Sequence, residues 1–399
     1  MGHIFTIPPS LPFADTLAQG LMARVKNDPQ ALSNYRILLP TRRACRIVRE
    51  AFLRQGEGNL MLLPRLIPIG DPDEDALDIA SAALGSSFEN EEIPAAINPV
   101  MRIALLSQAI RDHDGYTGNY ALSLTLAQDL MRFLDELHIE DKPIESLSDL
   151  IEDSELAEHW KITIDFLDIL KTCWPAILKQ RGLVDPMQRR NMLLTRQAAL
   201  WKQLPPAYPI IAAGMTGSVP STATLFKSIA ALENGEIILP GLDQHLDEAS
   251  WDALEETHPQ HSLKKLLATL NVARSHVKIW PDLTNKGDPT REALWSQILR
   301  PAETTKDWQQ LSLHSESIRN LHYIECAHYY EESSVIVLML REVLEDPDRR
   351  KTAALVTADR NLAARVQEKL KRWGIAVDDS AGIKLANTPR GRFLRSIID

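Results

Sequence analysis

Between residues 1 and 95, short apolar runs alternate with helical patterns, and this alternation constrains the fold more than any other feature. "HIFTI" is followed by a Pro-rich loop and a helical pattern starting near Asp15. "YRILLPTRRACRIVREAFL" gives a strand at Arg36–Leu39, a turn at Pro40–Thr41 and a helix from about Arg42. "NLMLLPRLIPIGDPDEDAL" adds another extended apolar run that ends in an acidic loop. Short apolar strands interleaved with helices predict an α/β fold built on a parallel sheet.

From about Asn98 to Leu204 the period changes. "PVMRIALLSQAIRDH", "YALSLTLAQDLMRFLDELHI" and "ELAEHWKITIDFLDILKTCWPAILKQRG" space their apolar residues as amphipathic helices do. In the last of them Trp160, Ile164, Leu167 and Leu170 share a stripe, and Gly182 closes the helix. The stretch is expected to be an all-helical insertion. Strands return at Ile210–Ala213 and Glu236–Leu239, on either side of the helix "STATLFKSIAAL", and a polar, Pro-bearing region runs from Asp243 to Thr305.

A second α/β unit is expected from about residue 320. It would hold a strand in "LHYIECAH", a helix in "YEESSVIVLMLREVLED", and strand, helix and strand in "TAALVTADRNLAARVQEKLKRWGIAVDD", with Asp359 as helix cap. Two or three strands are few for a buried parallel sheet. The final "TPRGRFLRSIID" reads as the inside of a helix, so the chain is expected to be part of a longer protein.

At 399 residues, 44% hydrophobic and 25% charged, the composition is that of an ordinary globular protein of two or three domains. No apolar run approaches the ~20 residues of a membrane span, and no basic-then-apolar leader opens the chain. The cytoplasm is therefore the expected compartment. Cys45, Cys173 and Cys326 are too few and too scattered for a disulfide framework or a metal cluster. A net charge of −10 argues against indiscriminate coating of nucleic acid, although a local basic channel remains compatible with it.

The opening strand, loop and helix form the frame on which a P-loop is built, and its residues can be tested against G-x-x-x-x-G-K-[ST]. Pro8 and Phe13 stand at the two glycine positions, Ala14 at the lysine and Asp15 at the hydroxyl. Proline removes an N–H donor, and an aspartate repels phosphate at a helix N-terminus, where Asp15 reads better as an N-cap. The second half of such a site would be a carboxylate ending a later strand, yet "IIAAGMTGS" has Ala213 and Gly214 there. Both halves lack their chemistry, so nucleotide binding is not expected.

Read in order along the chain, "FTIPPSLPF", "LLPTRRACRIVREAFL", "AEHWKITIDFL", "IIAAGMTGSVPSTATL", "LPGLD", "HPQHSLKKLL" and "ALVTADRNLAARV" resemble the B subunits of AddAB helicase–nucleases. The resemblance is to the branch of that family without a working Walker A motif. It implies a RecA-like, superfamily-1 helicase-like body, with residues 1–95 and 205–300 as a first domain and 96–204 as a helical insertion. Residues 320–399 would begin a second RecA-like domain. It implies no cofactor in this segment, with ATP and Mg²⁺ acting on the partner helicase–nuclease subunit AddA. A RecB-type nuclease domain with Mg²⁺ and a 4Fe–4S cluster would lie beyond Asp399. Single- and double-stranded DNA are the implied partners, double-strand break repair near the nucleoid the implied process, and scanning for a Chi-like hotspot the implied task.

The segment Arg36–Arg54 holds six arginines against one acid, Glu50, a local reversal of sign. Arg42, Arg46 and Arg49 share a helical face, suited to phosphates and bases, while Arg49 and Arg54 read equally well as a solvated surface. Ligands of open α/β sheets bind at the carboxyl ends of strands, which favours the turn at Thr41–Arg43. By resemblance to the family's hotspot-reading turn, Thr41, Arg42 and Arg43 are the main DNA-contact candidates, with Arg46 beside them. The acidic loop with Asp71, Asp73 and Asp75 lacks the glycine and glutamate of a calcium loop. Family placement sets Asp73 beside the DNA path, and a plain helix-capping loop is the other reading. His258 and His261 in "HPQH" lack further ligands at metal spacing, and Trp174 and Trp201 sit at core positions. Two rival functions remain at this point: a scaffold that holds a partner without touching DNA, and an atypical nucleotide-binding ATPase.

Overall fold

The computed structural model describes residues 3–25, 28–56, 60–70, 92–113, 116, 118–144, 169–281, 287–312, 315–347 and 351–398. The chain divides into two compact units, Met1–Ile318 and Arg319–Asp399.

The first unit opens with β1 (His3–Ile7), α1 (Phe13–Arg24), β2 (Arg36–Leu39), α2 (Arg42–Gln55) and β3 (Arg65–Pro68). A helical region follows: β4 (Ala95–Ala96), α3 (Pro99–Arg111), α4 (Tyr120–Ile139), α5 (Trp174–Arg181), β5 (Leu183–Val184) and α6 (Pro186–Gln203). The chain then returns through β6 (Ile210–Ala213), α7 (Pro220–Ala231), β7 (Gly235–Pro240), α8 (Glu248–Asp252), α9 (His261–Leu270), β8 (Lys278–Ile279) and α10 (Pro289–Ile298).

Six strands form one sheet in the order β3-β2-β6-β7-β1-β8, and every pairing in it is parallel. The central strands are largely apolar because both faces are covered, while the edge strands β3 and β8 carry the exposed Arg65 and Lys278. On one face Ile4, Leu38, Ile210, Ala212, Ile237 and Leu239 pack under α6, α7 and α9 through Trp201, Phe226 and Leu266. On the other, Phe5, Ile7, Ile37, Leu39, Ile211, Ala213 and Ile238 meet Leu17 and Leu21 of α1 and Val48 and Phe52 of α2. Burying each of these aliphatic side chains contributes about 1.5–3 kcal/mol. Chain entropy of similar total size offsets most of it.

The inserted region is not all-helical. Ala95 and Ala96 pair with Leu183 and Val184, so a two-residue parallel ladder ties its start to its end. Its core joins Leu106 and Ile110 of α3 to Leu134 of α4 and Trp174 of α5. A buried ion network crosses it: Arg102 lies 2.7 Å from both Asp135 and Asp185, and Trp174 donates to Asp185 at 2.9 Å. Gly182, with φ of +62°, closes α5 in the left-handed conformation that its C-terminal position requires. Trp160, Ile164 and Leu167 lie outside the described residues, as does the acidic loop with Asp71, Asp73 and Asp75.

Helix α1 begins at Phe13, two residues earlier than its pattern predicts, and Asp15 is not its cap. The N-cap is Pro12, whose fixed φ sets the chain direction without a side-chain bond. Asp15 sits in the first turn, where a carboxylate is favoured by the helix dipole, and pairs with Arg54 at 2.8 Å.

The second unit carries α11 (Tyr329–Glu345), α12 (Arg360–Lys371) and α13 (Pro389–Ile398). Val337 of α11 packs against Leu362, Val366 and Leu370 of α12, and Asp359 caps α12 by accepting from the Asn361 N–H. The expected strands are absent among the described residues: residues 321–326 and 352–357 run without a ladder. Alternation survives there, since Leu355 touches the helix pair while Val356 is 92% exposed. An extended segment becomes a strand only when a neighbour takes its N–H and C=O groups, and these segments have no such neighbour among the described residues.

Candidate functional site

The loops that matter follow the carboxyl ends of β1, β2, β3, β6 and β7. Helices α1 and α2 cover one face and α7 and α9 the other, so crevices open at this edge between β1 and β7 and between β2 and β6.

The crevice after β1 is filled by protein. The ring of Phe13 stands so close to Gly214 that a Cβ on that glycine would meet Cε1 of Phe13 at 3.1 Å. Pro9 covers Gly241 in the same way, at 3.3 Å from a built Cβ. The Ser10 hydroxyl donates to Glu292 and accepts the Asp288 N–H at 2.9 Å, and the other Glu292 oxygen lies 3.6 Å from His245. Pro8 closes the turn by accepting the Leu11 N–H at 3.1 Å, and Ala14 packs into the core beside it. The degenerate positions Pro8, Phe13, Ala14 and Ala213 thus gather at one crevice, as does Asp15 with its tie to Arg54. The ring of Phe13 thus packs directly against the backbone of Gly214. Glu292 and Ser10 escape a sequence reading because they lie 282 residues apart with no motif joining them.

The crevice between β2 and β6 is open. A cavity of about 240 Å³ is lined by Pro40, Ile69, Arg190, Thr222 and the loop Gly214–Val219. Gly214 and Gly217 hold positive φ (+72° and +63°), and at Gly217 a side chain would strike Leu266. The loop is therefore bound to this course, and its backbone N–H groups from Met215 to Val219 make no hydrogen bond within the described residues. It leads into the N-terminus of α7, whose dipole adds positive potential.

Arg190 reaches this cavity from α6 across the sheet edge. It is half-buried, and burial pulls its guanidinium below the usual arginine range. It makes no ion pair among the described residues, in contrast to Arg102 and Arg300, whose guanidinium groups are held by carboxylates. Sequence reasoning misses Arg190: within "PMQRRNMLL" nothing marks which arginine faces the sheet edge.

Beside the cavity lies the turn after β2. Thr41 is the N-cap of α2, and its hydroxyl accepts the Ala44 N–H at 3.1 Å. Its side chain is thus already engaged in holding the helix end. Arg42 and Arg43 occupy the first two helical positions and are exposed, so two cations stand at the positive end of a helix dipole. The other arginines disperse. Arg46 pairs with Glu50 at 3.1 Å, Arg54 with Asp15, and Arg36 stacks on Tyr208 at the opposite end of the sheet.

His258 and His261 serve the local loop, with contacts to the carbonyls of Leu299 and Leu254. The described residues contain no cluster of three or more His, Cys, Asp or Glu able to hold a metal, and no helix long and apolar enough to cross a membrane. No family model and no curated protein sequence matches the chain.

Proposed function

We propose that the chain is a non-catalytic, helicase-like scaffold that guides single-stranded DNA, as the B subunit of an AddAB-type helicase–nuclease would in recombinational repair of double-strand breaks. The strand order supports a RecA-like reading: β1 lies between β7 and β8, with β6 one strand further on, and the loops after β1 and β6 meet at Phe13 and Gly214. The filled crevice favours a frame without nucleotide chemistry, with ATP and Mg²⁺ left to the partner AddA. Nuclease chemistry, with its Mg²⁺ and 4Fe–4S cluster, would belong to a domain outside this chain.

The single observation that carries the DNA reading is the open cavity at the β2–β6 edge, where Arg190 pairs with no carboxylate among the described residues and the exposed Arg42 and Arg43 open the neighbouring helix. One strand would pass this edge, phosphates on the arginines and loop amides, with a base entering the cavity during scanning for a hotspot sequence. Such contacts release counterions, so affinity falls steeply with salt.

The test is fluorescence anisotropy with a labelled single-stranded oligonucleotide, on the chain alone and in complex with its partner, at two salt concentrations. The expected result is salt-dependent binding that Arg42→Ala with Arg43→Ala weakens about tenfold or more while lowering the salt slope. Arg341→Ala, on α11 and paired to Glu345, is the control. Absence of binding in both forms, or equal losses in the control, overturns the reading and leaves a partner-holding scaffold.

A further inference from the structure

A second and larger cavity lies at the other end of the sheet, away from the loops described above. It measures about 660 Å³ and is lined by β1, α7, α9 and the start of β8. Helix α7 runs back from the carboxyl edge, so Lys227 near its end arrives at the amino edge, where His3 begins β1 and Lys278 begins β8. Asn271, the C-cap of α9 with φ of +54°, and His276 complete the polar rim. Ile4, Phe5, Leu270 and Val272 supply an apolar floor.

Two features set this cavity apart. Among the described residues no acidic side chain lines it, although the chain carries ten more acidic than basic residues. Lys227, Lys278, His3 and His276 form no ion pair among the described residues, whereas nearby Arg274 is tied to Glu248 and Arg24 to Glu236. A volume of this size falls within the ~300–1,000 Å³ of small-ligand sites, which join an apolar lining to a few convergent polar groups. Exposed cations on two separate elements, α7 and β8, flank one apolar floor.

We propose that this cavity binds a small organic anion, its apolar body on Ile4, Leu270 and Val272 and its carboxylate or phosphate head between Lys227 and Lys278. The site is independent of the DNA edge and goes beyond that reading. An apolar body is required because the floor buries no charge partner. An anionic head fits the two lysines on the rim, which meet no carboxylate among the described residues.

The test is a fluorescence titration of the intact chain with anilinonaphthalene sulfonate, followed by displacement with dodecanoate, dodecyl phosphate and the neutral analogue dodecanol. One saturable site is expected, displaced by both anions and not by dodecanol. Lys227→Glu with Lys278→Glu should weaken it about tenfold or more. Ala231→Trp, at an exposed lining position, should block it without changing charge, whereas Lys202→Glu on exposed α6 surface should leave it intact. Thermal midpoints of the variants show that the fold is kept. Unchanged probe affinity in both the charge-reversal and the tryptophan variant overturns the proposal. Displacement by a single-stranded oligonucleotide as effective as by dodecanoate also overturns it, because the rim would then be a nucleic-acid contact.

Discussion

The Phe13 ring packs tightly on Gly214: a Cβ on that glycine would stand 3.1 Å from Cε1 of the ring. Phe13 starts the helix after β1, and Gly214 follows the buried end of β6, so the contact seals the crevice between the two loops. Adding Mg·ATP is expected to leave the thermal midpoint unchanged, and Phe13→Ala is not expected to create affinity, since Ala14 stands at the lysine position and Ala213 at the strand-end carboxylate position. The same substitution should lower stability by about 2 kcal/mol, below the full cost of a buried phenylalanine because the ring is only half-buried. A midpoint shift of several degrees with Mg·ATP would contradict the sealed-crevice reading.

Gly20 gives a second stability test with opposing local and tertiary effects. Alanine is the better helix former by about 1 kcal/mol, so propensity alone predicts that Gly20→Ala stabilises α1. A Cβ there would stand 2.0 Å from Nε1 of Trp280, a buried ring already held between Phe5 and the Arg24 guanidinium. Overpacking should win, with a net loss of about 1–3 kcal/mol in urea denaturation and a shifted tryptophan emission.

The sheet itself was legible because both its faces are covered. The runs at Arg36–Leu39 and Ile210–Ala213 are apolar at almost every position, and no other element of that length tolerates this. The same reasoning failed in residues 321–326 and 352–357, where apolar character is present but no neighbouring strand is. Pairing is a property of two segments, and one segment's pattern does not reveal whether its partner exists. At the candidate site, Arg42 and Arg43 were readable from local charge and from their place after a strand. Arg190, Ser10 and Glu292 were not, because their positions follow from packing between elements far apart in sequence.

Asp185 links stability to pH. Burial pushes its carboxyl up, but the His138 hydrogen bond, the Arg102 charge and the Trp174 hydrogen bond together outweigh burial and hold it below the usual carboxylate range. A carboxyl depressed in the folded state contributes stability above its unfolded value of about 3.9 and loses it as pH falls through the lower folded value. Acid unfolding of Asp185→Asn should therefore be flatter than that of the parent below about pH 4. Arg102→Met, which strands Asp185 at 2% exposure, should cost about 3–5 kcal/mol at neutral pH. Equal acid-unfolding slopes in parent and Asp185→Asn would rule out this carboxylate as the source.

Thr41 and Arg190 separate holding the site from contacting its ligand. The Thr41 hydroxyl is taken by the Ala44 N–H, so Thr41→Ala should cost about 1 kcal/mol of stability through the lost cap. Its effect on oligonucleotide affinity should be small once the fold is kept. Arg190→Met should behave in the opposite way. It removes a half-buried guanidinium that pairs with no carboxylate among the described residues, so stability should hold or rise while single-strand affinity falls about five- to tenfold. Thermal melts and anisotropy on the two variants give four numbers, and the reading requires the crossed pattern. If Thr41→Ala loses affinity at unchanged stability while Arg190→Met does not, the strand is read at the turn and the cavity beside it is not part of its path.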